Sequence, residues 1–324
     1  MKAWMCREFG DLSVLKFEDV PSPKAGPGQV KLAMRACGVN FADSLLTAGK
    51  YQVQPEPPFS PGFEIAGDVI AVGEGVSGFK PGDRVMGMVA AGGYAEEVVA
   101  DAAQLTPIPD EMDYVSAASF AVTYGTSYLA IAHRARLQAG EVLLVHGAAG
   151  GVGLTAVEIG KKLGATIIAT AGGSEKLKIT HQAGADHLID YRTEDIRERV
   201  KALTDGQGAD VIYDPIGGDV FDASLRCVNF EGRILVIGFA GGRIQQIPSN
   251  HVMVKNVDII GVNRGPYEEK RPKVTTQAYA TLMKWLAEGQ IRPFVSKTYP
   301  LEEAVSAITS VTDRSSTGKL VVTN

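Results

Sequence analysis

Apolar positions follow one rhythm over the first third of the chain and another thereafter. Up to about residue 120 they come in short runs broken by Gly and Pro: QVKLAMRACGV (29–39), EIAGDVIAVGEGV (64–76) and DRVMGMV (83–89). Runs of this length, ended by turn residues, predict short strands and a β-rich domain with few helices. From about residue 140, short apolar runs alternate with longer segments of helical period. EVLLVHG (141–147), ATIIATA (165–171), HLIDY (187–191), ADVIYDPI (209–216), GRILVIGF (232–239) and VDIIGVN (257–263) read as strands. Between them, GVGLTAVEIGKKLG (151–164), SEKLKITHQAG (174–184), IRERVKALT (196–204) and VFDASLRCV (220–228) read as helices, and TTQAYATLMKWLAEG (275–289) follows as another. Strands alternating with helices predict βαβ units on a parallel sheet, an α/β fold with a doubly wound domain. The closing residues return to short elements ending in KLVVT (319–323), expected to rejoin the first domain. The predicted division is a β-rich domain over 1–122 and 264–324, and a doubly wound domain over 123–263.

One turn in the second region carries chemistry. VLLVHGAAGGVG (142–153) runs a buried strand into a helix through small residues. Ala148, Gly150 and Gly153 fit A-x-G-x-x-G: a small residue for the turn, a glycine for backbone approach to a pyrophosphate, a glycine for close helix–strand packing. The helix N-terminus then offers free N–H groups to the anion. Ala149, Gly150, Gly151, Val152 and Gly153 are therefore candidate cofactor contacts. The next strand ends without the acid that would accept from a ribose 2′-hydroxyl. In its place stand Gly172, Gly173, Ser174 and Lys176. Two glycines make room, Ser174 can donate and Lys176 can pair with a 2′-phosphate, so NADPH is expected over NADH. Alternatively, Lys176 is a solvated residue in a helical first turn, where a cation is poorly placed for the dipole.

Composition narrows the remaining classes. The chain has 324 residues, 45% hydrophobic and 21% charged, as in ordinary globular proteins. Net charge is −5, and Lys and Arg form no block, which argues against a nucleic-acid partner. MKAWMCREFG lacks the apolar core of a signal peptide, and no run of ~18 apolar residues exists, so no membrane association and a cytoplasmic location are expected. Cys6, Cys37 and Cys227 form no CxxC pair, so neither a disulfide framework nor a cysteine-rich zinc lobe is expected. The five histidines show no metal spacing. His146, at a buried strand end, reads as a structural residue.

CGVNFAD (37–43), PGFEIAG (61–67), GVSGFKPGDRV (75–85) and the phosphate turn, in this order, resemble the medium-chain dehydrogenase/reductase superfamily. GVNFADSLLTAGKYQ and HGAAGGVG are similar to its zinc-free quinone oxidoreductase, or zeta-crystallin-like, group. The resemblance implies a GroES-like catalytic domain beside the Rossmann domain. It also implies positions for a catalytic zinc in the superfamily's alcohol dehydrogenases. Those positions are Asn40, Phe63 and the neighbourhood of Val122, none of them a ligand. Cys37 and Glu64 remain, too few for a catalytic zinc site, so no metal is expected. The group's signature has Gln where this chain has Glu158, a departure expected to matter little for chemistry.

Without zinc, hydrogen bonds must polarise the substrate oxygen. The resemblance makes Asn40 the first candidate, its amide donating to a carbonyl, with Asp43 orienting Asn40 or its loop. Alternatively, Asn40 bonds its own backbone, as loop asparagines do. Tyr51 resembles the group's cleft tyrosine, placed to bond or stack on a quinone; alternatively it is a surface aromatic. Thr126, Tyr191, Gly238, Phe239, Asn263, Arg264 and Lys319 carry over as cofactor contacts. Of these, Arg264 is equally readable as a surface charge, and the role of Lys319 is open. The implied activity is hydride transfer from NADPH to a small-molecule quinone. The alternatives are reduction of an enone or 2-alkenal double bond, and a low-turnover NADPH-binding, crystallin-like protein. The apolar run VDIIGV, at the presumed sheet edge, leads us to expect a homodimer.

Overall fold

The computed structural model describes all of residues 1–324. Its strands are β1 Lys2–Cys6, β2 Leu15–Asp19, β3 Gln29–Val39, β4 Glu64–Val72, β5 Arg84–Met88, β6 Glu97–Asp101, β7 Leu105–Pro107, β8 Val142–Val145, β9 Thr166–Ala171, β10 His187–Asp190, β11 Ala209–Asp214, β12 Val228–Val236, β13 Asp258–Gly261, β14 Val295–Pro300 and β15 Lys319–Thr323. They fall into two compact units, residues 1–122 with 293–324, and residues 123–292.

In the first unit β1 pairs antiparallel with β2, and a seven-stranded sheet runs β14-β15-β3-β4-β5-β7, with β6 also on β3. The first half of β3 alternates buried and partly exposed residues, as a one-sided strand must. From Ala36 to Val39 every residue is buried, so here the sheet is covered on both faces. Few helices were expected, and helices Phe41–Thr47, Tyr114–Ala117 and Ala304–Thr312 are present. The first two are too short to show a helical period. Each is closed instead by an aspartate: the Asp43 carboxylate accepts the Asn40 N–H, and Asp113 accepts the Ser116 N–H.

The second unit is built on a parallel sheet in the order β10-β9-β8-β11-β12-β13. Strand order reverses between β8 and β11, the switch point at which open α/β sheets bind ligands. Leu143, Leu144, Ile167, Ile168, Ile212 and Ile234 are buried, as continuous apolar strands require when both faces are covered. The helices expected between the strands form at Gly151–Lys162, Ser174–Gln182, Ile196–Leu203 and Asp219–Cys227. Helix Ala121–Tyr128, continued by a π-helical turn Leu129–Arg134, was not expected; its small and β-branched residues carry little helical signal.

The division after Arg292 differs from the expected one between 263 and 264. Helix Pro272–Ala287 belongs to the second unit because its own contacts lie there. Tyr279 Oη bonds Arg264 at 2.7 Å, and the Trp285 ring meets Tyr128 edge-on.

Glu158 is not idle in its helix. Its carboxylate accepts the Tyr124 hydroxyl and, at 3.2 Å, the Arg292 N–H. Burial pushes its pKa up to about 7. The folded pKa therefore exceeds the ordinary carboxyl value of 4.5, so this group costs no stability below that value, and the cost builds as pH rises from there through about 7. Glu158→Gln should melt several degrees above the parent at pH 8.5 and nearly level with it near pH 4. Equal melting temperatures at both values would show that the carboxyl ionises freely.

Candidate active site

The cofactor candidates of the second unit emerge from the C-terminal ends of its parallel strands. After β8, the turn Gly147–Gly150 leads into helix Gly151–Lys162, and Ala148 N–H bonds Thr170 O at 3.0 Å, tying the turn to β9. A β-carbon on Gly153 would lie 2.2 Å from Gly147 O and 2.7 Å from Ala148 Cα, so only glycine lets this helix seat on the turn. A β-carbon on Gly150 would meet only Gly147 O, at 3.3 Å, which leaves that backbone open. Ala149, Gly151 and Val152 share the same turn and first helical turn. Thr126 lies in the adjacent helix, which Ser127 and Thr155 fasten: Ser127 Oγ donates to Val152 O at 3.0 Å, and Thr155 Oγ1 to Thr123 O at 3.2 Å.

After β9 the chain turns through Gly172 and Gly173, whose φ of +93° suits glycine alone, into helix Ser174–Gln182. Ser174 and Lys176 stand in the first turn of that helix. Tyr191 and Arg192, just past β10, lie over the glycines. A β-carbon on Gly172 would sit 2.6 Å from Tyr191 Oη and 2.8 Å from Arg192 Nε, and one on Gly173 would sit 3.1 Å from Arg192 Nη1. The sequence reading missed Arg192. The signal was present: HLID ends one strand away from the acid-free strand, and YR follows it. An acid does stand there, Asp190, but its Oδ1 accepts the Gly173 and Arg192 N–H groups, at 3.2 and 3.1 Å. The corner thus keeps a hydroxyl, a phenol and two cations.

Gly238 and Phe239 follow β12, and Phe239 lies against Gly217 in the loop after β11. Asn263 and Arg264 follow β13. Arg264 is not a surface charge. It is 8% exposed, paired with Glu268 at 2.7 Å, and lies beneath Gly125, whose β-carbon would be 2.8 Å from Nε. His146 is structural, as expected: fully buried, it bonds Thr170 Oγ1 at 3.1 Å and Ser224 Oγ at 2.9 Å. Burial drives its pKa down to about 3, so it stays neutral.

The first unit gathers the remaining candidates around one carboxylate. Glu64, at the start of β4, is fully buried. Its Oε2 meets Lys319 Nζ at 2.7 Å and Asn40 Nδ2 at 3.3 Å, and its Oε1 takes the Val122 N–H at 2.7 Å. Asn40 Nδ2 also donates to Gly38 O at 3.0 Å, so the amide is bound into the fold rather than held ready as a donor. The backbone-bonded alternative for Asn40 is therefore part of the picture. Asp43 holds the loop: its Oδ2 accepts the Asn40 N–H at 2.8 Å and the Tyr94 hydroxyl at 2.7 Å, and burial pushes its pKa up to about 6. Tyr51 is not a loose surface ring. It stacks on Phe63 with centroids 6.2 Å apart and planes 17° apart. Lys319, expected among the cofactor contacts, points its ammonium inward instead.

No three His, Cys, Asp or Glu side chains converge as a metal site would require. The two candidates left by the sequence are engaged elsewhere. Glu64 is saturated as described, and Cys37 Sγ packs where β-carbons on Gly62 and Gly93 would intrude. Burial also raises the Cys37 thiol well above its usual pKa. No helix is long and apolar enough to cross a membrane.

Comparison with known proteins follows the same division. Residues 26–110 match the alcohol dehydrogenase GroES-like domain, and residues 151–288 the family described as zinc-binding dehydrogenase. A quinone oxidoreductase-like protein 2 homolog of Nematostella vectensis is 39% identical over 99% of this chain and 88% of its own length. Human quinone oxidoreductase is 34% identical over 99% of this chain and 97% of its own. The crystal structure of Escherichia coli quinone oxidoreductase complexed with NADPH superposes with a TM-score of 0.94 at 29% identity, covering both chains entirely. Sheet order, phosphate turn and these matches agree: the chain belongs to the medium-chain dehydrogenase/reductase superfamily, in its quinone oxidoreductase-like group.

Proposed function

We propose that this chain is an NADPH-dependent quinone reductase that works without zinc. The observation that carries the reading is the saturation of Glu64 by Lys319, Asn40 and the Val122 N–H, beside Asn40 and Phe63, which the resemblance to the zinc enzymes makes their ligand positions. When bound, NADPH supplies the hydride. The turn Ala149–Gly153 receives the pyrophosphate on backbone N–H groups. Ser174, Lys176, Tyr191 and Arg192 hold the 2′-phosphate, consistent with the NADPH complex of the Escherichia coli relative. Thr126, Gly238, Phe239 and Asn263 line the rest of the cofactor's path, and buried Arg264 supports it from beneath Gly125. Tyr51, backed by Phe63, presents a flat apolar face and a phenol. Its hydroxyl donates to the quinone oxygen as charge develops there, the part a metal would otherwise play.

The test is loss of nicotinamide absorbance with NADPH or NADH, offered ortho- and para-quinones beside enones and 2-alkenals, on chelator-treated protein. Quinone turnover with NADPH is expected, unchanged by the chelator and with no stoichiometric zinc by metal analysis. Tyr51→Phe should lower kcat on the order of 10- to 100-fold with the KM for NADPH unchanged. Turnover confined to enones would move the substrate, and turnover lost with chelation would overturn the zinc-free reading. NADPH binding without any turnover would leave a binding protein.

The same reading includes a two-fold partner along β13. That strand pairs only with β12, and Ile244, Ile247, Met253 and Val254 of the same unit are exposed. Light scattering at micromolar concentration should give the mass of two chains; one chain's mass would reject the dimer.

A further inference from the structure

Asp214 ends β11, beside the point where strand order reverses, and is 1% exposed. One oxygen, Oδ1, accepts the Ile216 N–H at 2.8 Å and the Gly217 N–H at 2.9 Å. The other, Oδ2, is buried with no hydrogen-bond partner. Burial raises the carboxyl above its ordinary range, against the pull of the two N–H groups. A polar side chain this deep costs stability unless its hydrogen bonds offset the loss, so its work lies in the two bonds it makes. They curl the chain straight off the strand, into a turn that carries Gly217 and Gly218 at φ +71° and +58°.

The curled loop touches the strand ends on either side of it. Toward β8, a β-carbon on Gly147 would lie 3.0 Å from Ile216 Cδ1 and 3.6 Å from Pro215 Cγ, so both side chains lie against the phosphate turn. Toward β12, Pro215 O and Ile216 O accept the Ala240 and Gly241 N–H groups at 3.1 and 2.8 Å. Phe239 lies on the same loop, 3.2 Å from where a β-carbon on Gly217 would be. Segment 238–241 thus rests on a loop that Asp214 shapes. Sheet order, β10-β9-β8-β11-β12-β13, decides which part of a dinucleotide that segment would meet. The corner proposed for the 2′-phosphate follows β9 and β10, and the turn proposed for the pyrophosphate follows β8. A dinucleotide laid across the strand ends from that corner has only its nicotinamide half left at β11 and β12.

We propose that Asp214 is a positioning residue for the nicotinamide half of the cofactor: by holding the Ile216 and Gly217 N–H groups it seats loop 215–218, and through that loop segment 238–241, without touching the cofactor itself. This rests on the NADPH-dependent reading above. The role asks for an acceptor and not for a charge. Asparagine offers the same carbonyl oxygen to both N–H groups, and alanine offers none.

The experiment compares Asp214→Ala, Asp214→Asn and Gly217→Ala. Each is titrated with NADPH and with adenosine 2′,5′-bisphosphate, a fragment that carries the 2′-phosphate and lacks the nicotinamide. Asp214→Ala should bind NADPH at least about tenfold more weakly, and the fragment within a factor of about two of the parent. Asp214→Asn should hold NADPH within about threefold of the parent. Gly217→Ala reaches the same segment without touching Asp214. Its methyl would lie 2.8 Å from Gln245 Oε1 and 3.2 Å from Phe239 Cδ1, so it should repeat the split even if Asp214→Ala fails to fold. Equal losses for NADPH and the fragment would show general damage and overturn the proposal. So would an asparagine variant as weak as the alanine one, which would make the charge the working part. Hydrogen exchange gives a readout that needs no ligand. The Ala240 and Gly241 amides should lose protection at least about tenfold in Asp214→Ala and keep it in Asp214→Asn. Unchanged protection would sink the role whatever the affinities. A parent that binds neither NADPH nor the fragment, yet shows that loss of protection in Asp214→Ala, would count against the NADPH reading and uphold the seating of 238–241.

Discussion

Arg192→Ala is expected to raise the KM for NADPH about 10- to 100-fold while leaving that for NADH within a factor of about two. The guanidinium stands over Gly172 and Gly173, close enough that neither glycine could carry a side chain without meeting it or Tyr191. Such a cation beside an acid-free strand end suits a dianionic phosphate and gains nothing from a hydroxyl. Lys176→Ala should act in the same direction from the first turn of the following helix. The two losses together should approach the product of the singles if each cation bonds its own phosphate oxygen. Added salt should narrow the preference, because Arg192 is exposed and its attraction is screened. Steady-state kinetics with both cofactors decides the matter. An equal rise for NADH and NADPH would mean that the basic residues read something other than the 2′-phosphate.

Gly153→Ala is expected to damage fold and cofactor site together. The added methyl would lie 2.2 Å from a backbone oxygen and 2.7 Å from a backbone carbon, neither of which can rotate away as a side chain could. Helix Gly151–Lys162 must then lift off its turn, and the N–H groups proposed to receive the pyrophosphate lift with it. Overpacking of this kind costs on the order of 1–3 kcal/mol, so a melting temperature several degrees lower and NADPH affinity at least about tenfold weaker should appear together. Gly150→Ala makes the contrast. Its methyl has room within the fold, so the melting temperature should hold while affinity falls, because that backbone is left for the ligand. Thermal melts beside fluorescence titration with NADPH separate the two. Wild-type stability and affinity in Gly153→Ala would refute the packing role.

Much of this was legible in the sequence, for a reason that differs between the units. The strands of the second unit are buried on both faces, so each is a continuous apolar run such as VLLV or TIIATA, bounded by a helix of clear period. The phosphate turn and the acid-free strand end are local, and a local signal survives in one dimension. Helix Phe41–Thr47 was invisible because it owes its existence to Asp43, a capping residue, and to burial of Leu46. Arg192 was overlooked because it acts on glycines that precede it by a whole βα unit. The Lys319–Glu64 pair was out of reach for the same reason on a larger scale. Nothing in STGKL indicates that its lysine completes a carboxylate at residue 64, and only the pairing of β15 with β3 brings them together. The boundary after Arg292 was obscured likewise, since Tyr279 and Trp285 declare their unit only through Arg264 and Tyr128.

The first unit is discontinuous, and that has a consequence for how a newly made chain matures on the ribosome. Residues 123–292 are contiguous, so their parallel sheet has every strand in hand once residue 292 has emerged. The other sheet does not. Its strands β3, β4 and β5 are made early, but β14 and β15 are made last, and the ammonium that answers Glu64 lies in β15. Until then the early segment carries a carboxylate destined for the interior with no counter-charge to accompany it. That strand end must stay hydrated and open for most of translation. A nascent chain that has emerged past residue 292 but not yet to Lys319 would therefore hold one finished sheet and one that chaperones could still grasp.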